Sequence, residues 1–161
     1  MTSTRFADRA EAGRALAGEV VRHRADAGIA DRPLVLALPR GGVPVAAEVA
    51  AATGGDLDIA IVRKIGAPGQ PELGVGAVAE DGLPVFDLTA LEYLGLTEDD
   101  LAATVERERV EVRRRIRRYR GGRASPDAAG RVAILVDDGL ATGVTAHATL
   151  RWLRDQRRRP G

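Results

Sequence analysis

The stretch RVAILVDDGLATGV, residues 131–144, decides the fold. Residues 132–136 are apolar and mostly β-branched, which reads as a strand buried on both faces. Asp137 and Asp138 stand where that strand ends, and Gly139-Leu140-Ala141-Thr142-Gly143 makes a short loop. After Thr145 the pattern turns helical through Leu150, Trp152 and Leu153. Open α/β sheets bind ligands at the carboxyl ends of their strands. A small-residue loop opening a helix offers free N–H groups and a positive dipole end to an anion. Carboxylates beside it accept from sugar hydroxyls or approach a hard cation. An anion cradle next to a hydroxyl clamp points to a sugar phosphate. The competing reading of Asp137-Asp138-Gly139 is a solvated turn. Two repelling acids at a buried strand end are more than a turn requires.

The flanking sequence supplies the rest of an α/β pattern. Pro33 introduces a strand at 34–38, Pro39-Arg40-Gly41-Gly42 makes a turn, and an Ala/Val-rich helix covers 44–52. Gly54-Gly55 ends it, and residues 59–62 form a second buried strand that closes a βαβ unit with a right-handed crossover. Upstream, 6–27 has helical character, with Phe6, Ala10, Leu16, Val20 and Val21 on one face. Downstream, Gly- and Pro-rich 66–71 reads as a mobile loop. Residues 73–79 read as a strand pairing with 84–87 across Glu80-Asp81-Gly82. A short helix fits 90–94. Thr97 with Asp100 forms a weak capping box, and the helix it opens runs to about Arg120, where Gly121-Gly122 stops it. Gly74-Val75-Gly76-Ala77-Val78-Ala79 imitates a dinucleotide fingerprint, but Gly82 and Pro84 deny it the helix that must follow.

At 161 residues the chain reads as one domain with a sizeable core. It has no cysteine, hence neither disulfide framework nor thiolate metal site. The charged N-terminus lacks a signal-peptide apolar region and no apolar run reaches membrane-span length, so the expectation is a cytoplasmic protein without a membrane partner. A net charge of +1 argues against bulk nucleic-acid binding. Lys64 is the only lysine, which makes it more informative than any single arginine.

The string VAILVDDGLATGVT resembles the 5-phosphoribosyl-1-pyrophosphate (PRPP) motif of type I phosphoribosyltransferases: a hydrophobic strand, two acids and a Thr/Gly loop. LVLALPRGGVPVAAEVA at 34–50 is similar to that family's pyrophosphate-loop segment, and IAIVRKIGAPGQPELGVGAVAEDG at 59–82 to its strand and flexible loop. The three stand in the family's order. The resemblance implies a mainly parallel β-sheet flanked by helices, with an antiparallel hairpin as a hood. It also implies Mg²⁺-dependent transfer of the phosphoribosyl group from PRPP to a nitrogenous base, with release of pyrophosphate. Mg²⁺ would be held mainly by substrate oxygens and water, with no protein metal site; a homodimer is compatible.

The roles this implies are specific. Asp137 and Asp138 accept from the ribose hydroxyls. Ala141, Thr142, Gly143, Val144 and Thr145 cradle the 5′-phosphate. Arg40, Gly41 and Gly42 form a second anion site, in a turn that often carries an unusual peptide geometry in the family. Arg63 and Lys64 neutralise the departing pyrophosphate. The competing readings are a Thr-capped βα loop, an ordinary Arg-Gly-Gly turn, and two solvated charges. The arginine run 113–120 reads as the outer face of a helix whose apolar stripe is Leu101, Val105, Val112, Ile116 and Tyr119, with Glu108 and Glu111 pairing to arginines along the helix. His23 and His147 read as surface residues and Trp152 as core. Family members usually continue into a further strand that this sequence, ending at Gly161, does not contain. Either the sheet edge is uncovered, or the chain is a fragment, or a partner completes it, and the alternative function is a PRPP-binding module without transferase activity. A third reading, an interaction protein using the 97–120 helix, predicts no PRPP binding.

Overall fold

The computed structural model describes residues 5–140 and 142–157. These fall into two compact units. The first comprises the described residues up to Ile59 together with Ala128–Gly139; the second comprises Ala60–Asp127 and the described residues from Leu140 onward.

The first unit carries a parallel sheet in the order β2-β1-β6, with β1 at Leu34–Ala37, β2 at Asp56–Ile59 and β6 at Ala133–Val136. Leu34 pairs with both Asp56 and Ala133, and Ala37 with both Ile59 and Val136, so all three strands end level at their carboxyl ends. Helix α2, Gly42–Thr53, links β1 to β2 and packs Val45, Ala46, Val49 and Ala50 against Val35, Ala37 and Val136. Left-handed Gly54 terminates it. Helix α1, Arg9–Asp26, is capped by Asp8, whose carboxylate accepts from Glu11 N at 2.8 Å. It packs on α2 through Gly13 and Ala17; a Cβ on Gly13 would stand 2.9 Å from the Val45 carbonyl oxygen. Small residues thus occupy the centre of the face read from the sequence, and Leu16 and Val21 at its margins are exposed. The burial on both faces expected of residues 132–136 is found instead in β1, all four of whose residues are buried. Among the described residues β6 is an outer strand of the sheet, with Ala133, Ile134 and Leu135 half-buried.

The second unit holds an antiparallel sheet, β3-β4-β5, with β3 at Arg63–Ala67, β4 at Gln70–Val78 and β5 at Pro84–Phe86. The mobile loop expected at 66–71 is instead the tip of the β3–β4 hairpin. Ala67 pairs with Gln70 across Pro68-Gly69, with Gly69 at φ +75°. The Gly/Pro signal marks this turn and the irregular pairing at Gly66, where a Cβ would lie 2.4 Å from the Pro71 carbonyl oxygen. The strand expected at 59–62 ends at Ile59; residues 60–62 are irregular. The pseudo-fingerprint glycines lie in β4, a strand as expected. Helix α3, Leu88–Leu94, precedes a 3₁₀ turn at Asp99–Leu101 that leads into α4, Ala102–Arg120. Thr97 and Asp100 exchange hydrogen bonds at 2.8 and 3.3 Å in the expected box. Helix α5, Val144–Arg157, buries Trp152 and Leu153.

Candidate functional site

In the first unit the site is built where β1 and β6 end. Leu38 N donates to the Val136 carbonyl at 2.8 Å, which holds the two strand exits together. The turn after β1 contains a cis Pro39-Arg40 peptide, the kind of unusual geometry the family resemblance implies, and leads through Gly41 into α2. Asp137 and Asp138 follow β6 directly. A Cβ on Gly41 would fall 2.0 Å from Asp138 Oδ2, so that carboxylate fills the space a side chain would need. A Cβ on Gly42 would lie 2.7 Å from the Val136 carbonyl oxygen and 3.0 Å from Asp137 Cα. The Gly41-Gly42 pair is therefore what lets the turn lie against the acid pair. Arg40 beside it is exposed.

The two acids differ electrostatically. Partial burial pushes the Asp137 carboxyl above the usual range, and the neighbouring Asp138 charge adds to this, although Asp138 N donates to Asp137 Oδ1 at 2.8 Å. Arg9 on α1 donates to Asp138 Oδ2 from Nε at 2.9 Å and from Nη2 at 2.8 Å. That guanidinium holds the Asp138 carboxyl below the usual range. Arg9 was not singled out by the sequence; it is one of many N-terminal charges, and only tertiary structure brings it to Asp138.

In the second unit the Thr142-Gly143 loop opens α5. Thr142 Oγ1 accepts from Val144 N at 3.4 Å, and Gly143 sits at φ +75°. The threonine is thus a helix cap as well as a candidate anion donor. Val144 is buried and Thr145 half-buried. Ala141, expected in the cradle, lies outside the described residues. Thr142, Gly143 and Val144 border a cavity of about 340 Å³, together with Phe86, Asp87 and His147. His147 and His23 are exposed and Trp152 is buried.

Arg63 opens β3 and donates through Nε to Glu108 Oε2 at 2.8 Å. Lys64 Nζ donates to the Glu72 carbonyl at 2.9 Å. Its aliphatic stem and Val144 both flank Gly74, 2.9 and 3.9 Å from where a Cβ would be. Arg63, Lys64 and Glu108 line a polar cavity of about 530 Å³ between the β3–β4 hairpin and α4. Glu108 corrects the sequence reading: its close partner is Arg63 of β3 at 2.8 Å, with only adjacent Arg107 near it on the helix at 3.9 Å, whereas Glu111 does pair with Arg114 and Arg115 at 2.7 and 2.8 Å. The signal for this was in the sequence. Leu101, Val105, Glu108 and Val112 follow i, i+4, i+7, i+11 spacing, which puts Glu108 on the buried stripe. Tyr119, expected on that stripe, is exposed.

Among the described residues no cluster of three or more His, Cys, Asp or Glu side chains could hold a metal ion, and no helix is long and apolar enough to cross a membrane.

A parallel strand pair thus ends in an acid pair and a glycine turn, and a Thr/Gly loop follows next along the chain. The sequence model of the phosphoribosyl transferase domain matches residues 5–158, and the chain belongs to that family. Two curated proteins of Mycobacterium tuberculosis, from strains H37Rv and CDC 1551, are each 42% identical over 149 residues and are named "Putative phosphoribosyl transferase". The alignment covers 92% of this chain, and the chain spans about a third, 32%, of the length of those relatives. A crystal structure of TT1426 from Thermus thermophilus is similar with a TM-score of 0.73 and 44% identity, over 96% of this chain and 72% of that one.

Proposed function

We propose that the chain transfers the 5-phosphoribosyl group from PRPP to a nitrogenous base in a Mg²⁺-assisted reaction. One observation carries this reading: the Asp138 carboxylate packed into the space above Gly41, at the carboxyl ends of adjacent parallel strands. That is where an open α/β sheet binds its ligand. Asp137 and Asp138 accept from the ribose hydroxyls. The amides and hydroxyls of Thr142, Gly143, Val144 and Thr145, with Ala141 in the same loop, bind the 5′-phosphate at the start of α5. The Arg40-Gly41-Gly42 turn binds pyrophosphate, and Arg63 and Lys64 neutralise it as it departs.

The C1–O bond to pyrophosphate breaks as a ring nitrogen of the acceptor forms the C1–N bond, and the nitrogen's proton passes to solvent. The transition state resembles an oxocarbenium ion. These residues contribute by holding the ribose in line and by stabilising charge on the leaving group. The donor set fits Mg²⁺ in a limited way: two adjacent hard carboxylates, one already engaged by Arg9, do not form a cage. Such a pair suits an ion that takes most of its oxygens from substrate phosphates and water. When bound, Mg²⁺ would supply neutralisation of the pyrophosphate.

The test is calorimetry with PRPP and Mg²⁺, followed by a pyrophosphate-release screen over purine and pyrimidine bases. Replacing Asp137 and Asp138 together by Asn should weaken PRPP binding by ~2–4 kcal/mol, from lost charged hydrogen bonds. Absence of PRPP binding, or unchanged affinity in the double variant, overturns the reading. PRPP binding with no turnover on any base would identify a binding module instead.

A further inference from the structure

We propose that Glu108 is a positioning residue that aims Arg63 at the pyrophosphate of the substrate. This rests on the reading of Arg63 just given and extends it to a residue on α4. Glu108 is the one carboxylate on the buried stripe of α4, with its side chain 12% exposed. Burying a carboxylate costs free energy unless it is paired. Its hydrogen-bonded partner is Arg63, bound through Nε only, with Arg107 Nε farther off at 3.9 Å. Among the described residues neither terminal nitrogen of Arg63 has a protein hydrogen-bond partner, and the side chain is 33% exposed to the cavity of about 530 Å³. A guanidinium pinned at Nε presents its two terminal N–H₂ groups as a fixed fork, the geometry that grips a phosphate oxygen pair. Lys64, and Arg107 beside Glu108, line the same cavity. Glu72, exposed and 3.7 Å from Lys64 Nζ, also lines it, so with Glu108 three cations face two carboxylates, an excess of positive charge that suits a multiply charged phosphate ligand.

Charge and orientation predict opposite signs, which makes the idea testable. If Glu108 acted only through its charge, removing it would strip a negative group from a cationic cavity, and inorganic pyrophosphate would bind more tightly. If it acts by orienting Arg63, a variant that lacks an acceptor must bind pyrophosphate more weakly, and one that keeps an acceptor must bind nearly as well as the parent. The variants are Glu108→Leu and Glu108→Gln. Glu108→Leu should fold, because the Arg63 side chain it leaves behind is one-third exposed and can turn its charge to water.

The probes, titrated calorimetrically into the full chain with Mg²⁺, are inorganic pyrophosphate and ribose 5-phosphate. Expected for Glu108→Leu is a loss of about tenfold in pyrophosphate affinity with ribose 5-phosphate unchanged. Expected for Glu108→Gln is near-parental binding of both. In an Arg63→Gln background Glu108→Leu should add nothing. Arg63→Lys, which keeps the charge but not the fork, should copy Glu108→Leu and serves as the test if the latter fails to fold. Tighter or unchanged pyrophosphate binding in Glu108→Leu overturns the proposal, as does an equal loss for both probes. So does an undiminished effect in the Arg63→Gln background, or parental affinity in Arg63→Lys. Failure of the parent chain to bind ribose 5-phosphate or PRPP, with pyrophosphate still bound and still sensitive to Glu108, would sink the transferase reading instead.

Discussion

Gly41→Ala separates the binding site from the fold. Gly41 has φ −64° and ψ −32°, a conformation open to any L-residue, so the backbone itself does not object. The obstacle is Asp138. The new methyl would lie 2.0 Å from Oδ2, 2.3 Å from Cγ and 2.6 Å from Oδ1, so the whole carboxylate must rotate away. What the fold loses is the Arg9–Asp138 pair, in which the side chains are 60% and 32% exposed. Pairs that open to water contribute roughly 0–1 kcal/mol, so stability should fall by about 1 kcal/mol at most. On the function proposed above, the site loses a carboxylate that would accept from a ribose hydroxyl, about 1.5–3 kcal/mol of binding or roughly 10- to 150-fold in Kd. Urea unfolding followed by circular dichroism measures the first quantity, and calorimetry with ribose 5-phosphate the second. Parental affinity in Gly41→Ala would refute the reasoning, because the carboxylate cannot both leave its place and hold the sugar. A stability loss well above 1 kcal/mol would show that Asp138 holds the fold rather than the ligand.

Other substitutions test the fold. Gly42→Ala should destabilise by about 1–3 kcal/mol in urea, since its Cβ would meet the backbone of Val136 and Asp137 and neither is free to rotate. Gly18→Ala, in the exposed interior of α1 with only Arg22 Nη1 at 3.8 Å, should instead stabilise by roughly 0.5–1 kcal/mol. Glu80 and Arg120 form an ion pair with both side chains 2% exposed, and Glu80 also accepts from Ile61 N and Ser125 Oγ; Glu80→Ala should cost about 3–5 kcal/mol and lower Tm accordingly. Asp137→Asn should raise stability at pH 7 in urea titrations: a carboxyl whose folded pKa lies above its unfolded value binds its proton more tightly in the fold, so the parent loses stability as pH rises through that window. The gain should vanish in acid below the unfolded pKa near 3.8.

Much of the architecture was legible because it follows from periodicity and punctuation. The apolar runs at β1 and β6, the Ala/Val helix between β1 and β2, the Thr97–Asp100 box and Gly121 each carry a local signal that tertiary structure does not override. What misled was exposure. Val132, Ala133, Ile134 and Leu135 look like a central strand, yet among the described residues β6 is an outer strand, and nothing in a strand's own residues says how many neighbours it has. Gly66, Pro68 and Gly69 look like a loop, yet glycine also fits where two strands crowd, as Gly66 does against Pro71.

At the candidate site the residues proposed to bear chemistry stand in short motifs of the sequence, and the residues that hold them do not. The acid pair, the glycine turn and the Thr/Gly loop are each short in sequence, so their motifs survive in a linear reading. Arg9 on Asp138 and Glu108 on Arg63 are separated by 129 and 45 positions from the groups they serve. Only folding creates those pairs, and each changes what its partner can do. Arg9 lowers the Asp138 carboxyl below the usual range while partial burial raises Asp137 beside it, so the two acids hold their protons unequally. Identical side chains at adjacent positions thereby become unequal. The difference comes from what surrounds each carboxylate, a guanidinium for Asp138 and partial burial for Asp137, and neither surrounding can be read from two consecutive letters of sequence.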